Sequence, residues 1–328
     1  MRKEETKQAE IKTERRSEKP ISSDQSEAER KRFIFQTANN AVGQPEVGMT
    51  MTEGPQFPSV DRRSGLSLQE FRWKYLYPGK PVVITDAMEE WKARSSWTFD
   101  YLRSRYGATP VVVHRYHRED EYTPEAVEHM TLAEYIDRIT TNDWDSYPCY
   151  LRDNWKLFLM HKDLMSDHKV PKYFFDWFKL LPTFMRLPYP RIFMGPKGAI
   201  TPLHVDIWST HAWLSQLVGR KRWILFSPDQ RQFLHNYKVR VEQPDLERFP
   251  LFRQAKAVEC TIGPGDTIFV PSRWAHWVIS LEAGISLTYN YMGPGCFGSC
   301  LANAVQPLSL KRFKTGSLRW VAKLNPWA

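Results

Sequence analysis

Residues 201–213, TPLHVDIWSTHAW, and residues 263–280, GPGDTIFVPSRWAHWVIS, decide the reading of this chain. In an extended segment His204 and Asp206 project from one face, so an imidazole nitrogen and a carboxylate oxygen can converge on one metal ion. An HxD triplet by itself arises often by chance, and a third ligand is needed. His276, at the start of a strand directly after a turn, offers it. Two histidines and one carboxylate on one side of an ion form a facial triad, which suits ferrous iron because positions stay open for substrate and oxygen. A lone histidine at a strand end is more often structural, and His114, His117, His129, His161, His168, His211 and His235 lack any comparable surroundings.

Outward from these two stretches, short apolar or alternating runs recur between Gly and Pro. They are RIFMG (191–195), AWLSQLVG (212–219), KRWILF (221–226), AVEC (257–260), DTIFV (266–270), HWVIS (276–280) and GISLTYNYM (284–292). Such spacing predicts an antiparallel β-sandwich or barrel and not alternating β-α units. In the last run Ser286, Thr288 and Asn290 alternate with Leu287, Tyr289 and Tyr291, so a polar face lines a cavity or meets solvent while the other face packs. Lys221 and Trp223 share a face of KRWILF, which makes the lysine either a surface residue or a buried anion anchor. Upstream, the β-branched run in KPVVITDAM predicts a strand over 81–85. An element begins at Ser67, and Thr131 with Glu134 forms a capping box ahead of LAEYIDRI.

Of the 328 residues, 42% are hydrophobic, 14% aromatic and 25% charged, which excludes a wholly disordered chain. No run of about 18 uncharged apolar residues occurs, and the densely charged start lacks the apolar core of a secretory signal. The expectation is an intracellular protein, cytoplasmic or nuclear, with no membrane association. Cys149, Cys260, Cys296 and Cys300 form neither a disulfide framework nor paired zinc knuckles and read as ordinary thiols. The formal charge is +9. Residues 1–35 carry ten basic against eight acidic side chains, so 1–58 reads as a disordered charged tail and linker. The segment ERKR (29–32) within it reads as solvated linker before nuclear address. The folded domain is expected over 59–300. Residues 301–328, with five basic side chains and no acid, read as a basic helical segment, either a solvated face or a contact for nucleic acid or an acidic partner.

The order TPLHVD, GRKRWILF, PGDTIFVPSRWAHWV and a final polar strand resembles the Jumonji C (JmjC) iron and 2-oxoglutarate oxygenases over roughly residues 60–295. The likeness is to the small, domain-only protein hydroxylases, the lysyl hydroxylase branch, more than to the large multidomain demethylases. It implies a mainly β fold with flanking helices, a double-stranded β-helix (cupin or jelly roll) of eight strands in two antiparallel sheets. Helices from 67–185 would pack outside it, with a C-terminal helical segment after 300. It implies His204, Asp206 and His276 as ligands of Fe(II), with 2-oxoglutarate and O2 as cosubstrates and ascorbate in support. Lys221, seventeen residues after His204, matches the lysine that pairs with the distal carboxylate of 2-oxoglutarate. Thr201 and Tyr150 match hydroxyl donors to that carboxylate, and Thr288 and Asn290 match polar residues of the cavity. One departure stands out: the lysyl hydroxylase branch has an Asn where this chain has Leu214, and Gln216, two further along the same strand face, is the candidate replacement for that amide.

The implied reaction is hydroxylation of a protein side chain, a lysine, arginine or similar residue. On an N-methyl carbon the same step is demethylation, and RNA hydroxylation is a variant within the family. Two readings of other classes stand beside it. A metal-binding cupin of different activity would need the triad but not Lys221, Thr201 and Tyr150, and a non-catalytic binding module would use the triad only to hold its fold. Homodimerisation through C-terminal helices is implied by the family, and Leu308, Leu310, Phe313, Leu318, Trp320, Val321 and Leu324 suit it, as they would suit packing on the protein's own sheet.

Overall fold

Alternation along each strand after residue 190 sorts side chains into two sets, and the sorting builds the layers. The computed structural model describes residues 57–117, 120–142, 149–154, 156–181 and 190–305. Its first half contains β1 (Asp61–Arg63), α1 (Leu68–Phe71), β2 (Val82–Ile84), α2 (Ala93–Ser96), α3 (Phe99–Tyr106), β3 (Pro110–His117), β4 (Asp120–Thr131), α4 (Leu132–Thr141), β5 (Leu151–Asn154) and α5 (Lys156–Met160). The second half is β6 (Arg191–Gly195), β7 (Ile200–His204), β8 (His211–Val218), β9 (Lys221–Phe226), β10 (Ala257–Ile262), β11 (Thr267–Val270), β12 (Ala275–Ser280), β13 (Gly284–Tyr291) and then α6 (Phe297–Val305).

Strands β6 to β13 divide four and four: β11-β8-β13-β6 lie together in one sheet and β10-β9-β12-β7 form the other, which is the eight-stranded jelly roll expected. The first sheet is widened to seven strands by β5 beyond β6 and by β2 and β1 beyond β11, and β1–β2 is its parallel pair. Along β8, Ala212 and Leu214 point between the sheets, where they meet Trp223, Leu225, Ile268 and Val278. Trp213 and Leu217 point the other way, into an aromatic-rich core with Phe71, Trp97, Tyr135, Phe174, Phe269 and Tyr291. Burial of side chains this large contributes on the order of 2–3 kcal/mol apiece, so the larger sheet's outer face carries much of the stability. Ile224, Phe226, Trp277 and Ile279 on the outside of the smaller sheet are covered by the excursion between β9 and β10.

The amino-terminal half departs from the helical layer expected over 67–185. Its longest feature is the β3–β4 hairpin, paired from Pro110↔Thr131 to His117↔Asp120. The β-branched run VVV at 111–113 was the signal for it. Helix α4 starts where the capping box places it, with Thr131 Oγ1 accepting from Glu134 N (3.2 Å) and Glu134 Oε2 accepting from Thr131 N (2.7 Å). The strand expected over 81–85 is β2, paired to β11. Helix α6 crosses the boundary drawn at 300. The charged tail and the apolar residues proposed for dimerisation lie outside the described residues. No helix among the described residues is long and apolar enough to cross a membrane.

Asp176 ties the segment before β6 to the end of β13. Its buried carboxylate accepts from Phe178 N (2.9 Å), Met292 N (3.0 Å) and Tyr289 Oη (3.2 Å). Burial raises its pKa, and the three donors only partly offset that. Asp176→Ala leaves buried donors unpaired and is expected to cost roughly 2–4 kcal/mol in urea unfolding. A variant within about 0.5 kcal/mol of wild type would show the link to be idle.

Candidate metal centre and anion cavity

The antiparallel pairing of β7 with β12 sets His204 directly opposite His276, with a register shift immediately beyond. Their ring centroids are 4.2 Å apart. After β7 the chain turns sharply, with Ser209 N bonded to Asp206 O (3.0 Å) and Thr210 N to Ile207 O (3.1 Å), so the Asp206 carboxylate comes back beside the two rings. The potential ligand atoms of His204, Asp206 and His276 all lie within 4.8 Å of one another, the only such group among the described residues.

Each imidazole has a backbone carbonyl at Nδ1: Pro202 O at 2.8 Å from His204 and Trp274 O at 3.2 Å from His276. A carbonyl can only accept, so Nδ1 carries the proton and the lone pair sits on Nε2, the tautomer a metal needs. Burial, with His276 adding to it, holds the His204 pKa well below the usual imidazole value, which keeps that lone pair available. The rings of Trp223 and His276 lie 5.5 Å apart, which steadies the second ligand. The donor set, two neutral imidazoles and one carboxylate on one side, fits a divalent ion such as iron.

The triad opens into a cavity of about 180 Å³ between the sheets, at whose wall Lys221, Tyr150, Thr201, Thr288 and Asn290 also stand. Lys221 is 3% exposed. Its Nζ donates to Tyr150 Oη (2.8 Å) and lies 5.4 and 5.6 Å from the ring centroids of Tyr150 and Phe193. The Thr201 hydroxyl bonds the same phenol. Desolvation pushes the lysine pKa down to about 7. A buried ammonium with a phenol and two ring faces but no carboxylate is a site that gains from receiving an anion.

Gly195 makes room for this arrangement, because a Cβ there would lie 2.6 and 2.7 Å from carbons of the Tyr150 ring. Gly195→Ala is therefore expected to push the phenol off Lys221 and weaken binding of a dicarboxylate, with 2-oxoglutarate as the probe, about tenfold, the worth of one good hydrogen bond. Tyr150→Phe serves as the comparison. Equal affinity in wild type and Gly195→Ala, by calorimetric titration, would count against it.

Of the nine site residues expected from sequence, eight line this cavity: Tyr150, Thr201, His204, Asp206, Lys221, His276, Thr288 and Asn290. Thr288 Oγ1 donates to Trp213 O (2.6 Å), and the Asn290 amide joins Arg191 to Thr210. Gln216 is the correction. It is fully buried away from the cavity wall, its amide donating to Val218 O (2.6 Å) and accepting from Ser286 Oγ (2.8 Å). The register shift opposite Ile285 and Ser286 leaves Leu217 of β8 as an extra residue, which sets Gln216 opposite Ser286 and occupies both ends of its amide, so Leu214 is left as an apolar part of the wall.

Three residues escaped the sequence reading. Arg152 and Arg191 also line the cavity, and Arg152 was legible as the same-face neighbour of Tyr150. His211 accepts Ser272 N at Nδ1 (3.0 Å) and meets Pro294 O at Nε2 (2.7 Å), while Ser272 Oγ donates to Ser209 O (2.6 Å). It thereby locks the turn after Asp206 to the turn before His276, the two arms of the triad. No local pattern around it signals that role. Cys296 and Cys300 are buried free thiols beside this network, packed with Phe178 and Met292.

A jelly roll with an HxD…H triad and a buried lysine facing it defines a cupin-type metal protein. The chain belongs to the cupin-like JmjC family: residues 68–294 match the family model described as a cupin-like domain. It is 33% identical to lysine-specific demethylase JMJ21 of Arabidopsis thaliana over 73% of this chain and 26% of that protein. It is 30% identical to the bifunctional arginine demethylase and lysyl-hydroxylase psr-1 of Caenorhabditis elegans over 81% of this chain and 68% of that protein. It is 28% identical to the 2-oxoglutarate and iron-dependent oxygenase JMJD4 of Gallus gallus, over 72% and 60%. The chain thus spans about a quarter of JMJ21 and under two thirds of JMJD4.

Proposed function

We propose that this chain is an Fe(II)- and 2-oxoglutarate-dependent oxygenase that hydroxylates a carbon of a protein side chain. The observation that carries it is one cavity holding both a facial triad and, across from it, a desolvated lysine with no carboxylate partner among the residues described. A cupin of other activity has no use for the lysine, and a binding module that kept the triad only to hold its fold has no use for a cavity joining the two.

In this reading His204, Asp206 and His276 hold the iron on one side. Lys221 and Tyr150, with Thr201 bonded behind them, take the distal carboxylate of 2-oxoglutarate and so fix its length along the cavity. Iron held there would supply the chemistry by which O2, the oxidant, hydroxylates a C–H bond: one oxygen atom enters the substrate carbon and the other ends in succinate, as 2-oxoglutarate gives up two electrons and loses carbon dioxide. The residues of the chain position and exclude water: Leu214, Val270 and Val278 are apolar wall, and Thr288 spends its hydroxyl on Trp213 O instead of on solvent. Relatives named as a lysine-specific demethylase and as an arginine demethylase and lysyl-hydroxylase support a protein substrate. Demethylation is the same step on an N-methyl carbon.

The test is succinate release by the full chain with Fe(II), 2-oxoglutarate and ascorbate, followed by mass spectrometry of candidate proteins for gain of one oxygen. Iron binding without any 2-oxoglutarate binding or turnover would replace this reading with the cupin or binding-module one.

A further inference from the structure

A second cavity of about 500 Å³ adjoins the metal centre and shares Asp206 and Ile207 with the first. Its wall includes Trp208, Arg231, Tyr237 and Arg273. Three features converge on it. A group lodged there lies on the far side of a metal ligand, within one side chain of the reacting centre. Trp208 (φ 54°), Tyr237 (φ 66°) and Arg273 (φ 64°) all hold left-handed backbone without being glycine, from three separate segments. Strain of that kind gathers at ligand clamps and persists only where the surroundings enforce it. Finally, Arg231 and Arg273 are exposed and make no ion pair among the described residues. The acid nearest in sequence, Asp229, spends its carboxylate on Ser227 and Gln230. Once Asp206 is committed to a metal, the charged side chains of this wall are two guanidinium groups.

We infer that this second cavity docks an anionic group, a carboxylate or a phosphate, on the substrate polypeptide beside the residue that is oxidised, with Arg231 and Arg273 as its partners. The inference rests on the oxygenase reading for what happens next door, and the docking itself is read separately. Guanidinium groups on one cavity wall suit a flat or tetrahedral oxyanion. Two arginines next to an engaged aspartate make a point site and not the continuous basic track a nucleic acid backbone needs. The first cavity sets the chemistry, and the second would select which side chain is presented to it.

The probe is three degenerate hexapeptide pools with glutamate, phosphoserine or lysine fixed at one position, and a ten-nucleotide single-stranded RNA. Each is titrated against the full chain loaded with Mn(II) and 2-oxoglutarate under nitrogen. The expected result is at least tenfold tighter binding of an anionic pool than of the lysine pool, lost when Arg231→Gln and Arg273→Gly are combined. Glycine is chosen at 273 because it keeps the left-handed backbone, and an unchanged melting temperature confirms the fold. The tighter of the glutamate and phosphoserine pools identifies the source of the anion. Equal binding of the pools, a preference that survives the double variant, or RNA bound with the same arginine dependence overturns the inference. Absence of succinate formation by wild type would instead sink the oxygenase reading and leave the peptide titration to stand or fall alone.

Discussion

His204→Ala is expected to lower succinate formation on the order of a thousandfold or more, and to abolish stoichiometric Fe(II) or Mn(II) binding by calorimetry. The triad has only three protein ligands, so losing one leaves a bidentate site that water competes for easily. The side chain sits at the end of β7 and faces the cavity, so its removal deletes a ring from a wall and not from the packed core. The far-ultraviolet spectrum should therefore stay that of wild type. Retained metal stoichiometry with wild-type turnover would mean that the His204–Asp206–His276 group is structural. Trp223→Ala is a useful contrast: it removes the ring beside His276 while keeping all three ligands, and should weaken metal affinity about 10- to 100-fold, as loss of ligand support does.

Lys221→Ala is expected to leave metal binding intact and raise the 2-oxoglutarate concentration for half-maximal turnover by roughly 30-fold to several thousandfold. That range corresponds to the cost of removing one partner from a buried charged hydrogen bond. Selective loss of cosubstrate affinity, with metal stoichiometry unchanged, separates an anchor from a fold element. The pH dependence follows with a definite sign. Without an anion, desolvation holds the Lys221 pKa at about 7, so above neutrality the amine is largely uncharged. A bound carboxylate restores the ammonium. Binding of 2-oxoglutarate at pH 8 should thus take up most of one proton, falling toward none near pH 6, and affinity should decline as pH rises above 7. Titrations in buffers of different ionisation enthalpy measure this directly. No proton uptake at pH 8, or none lost in Lys221→Ala, would remove the lysine from the site.

Much of the site was legible because strands have a period of two. Residues 221 and 223, and 288 and 290, are pairs that alternation alone assigns to shared faces, and each pair lines the cavity; alternation also grouped 204 with 206, although Asp206 lies past the end of β7 and reaches the cavity through the turn. The glycine- and proline-punctuated runs after 190 likewise determined the antiparallel β architecture, since local turn chemistry and apolar alternation are properties of neighbouring residues. The helix at Thr131 was legible for the same reason, through a four-residue capping box.

What the tertiary structure alone decided depends on residues far apart in the chain. The pairing of His204 with His276 is a register between strands 72 positions apart, and register is set by the whole interleaving of the two sheets. Gln216 obeyed the face rule in sequence, yet an irregular register between β8 and β13 set it opposite Ser286, which with Val218 O engages its amide away from the wall. His211 holds the two metal-binding turns together through bonds to residues 61 and 83 positions away, with no local pattern to mark it. The fall in the Lys221 pKa likewise needs Tyr150 and Phe193 to close over the amine, and burial is a sum over the folded surroundings that no short stretch of sequence contains.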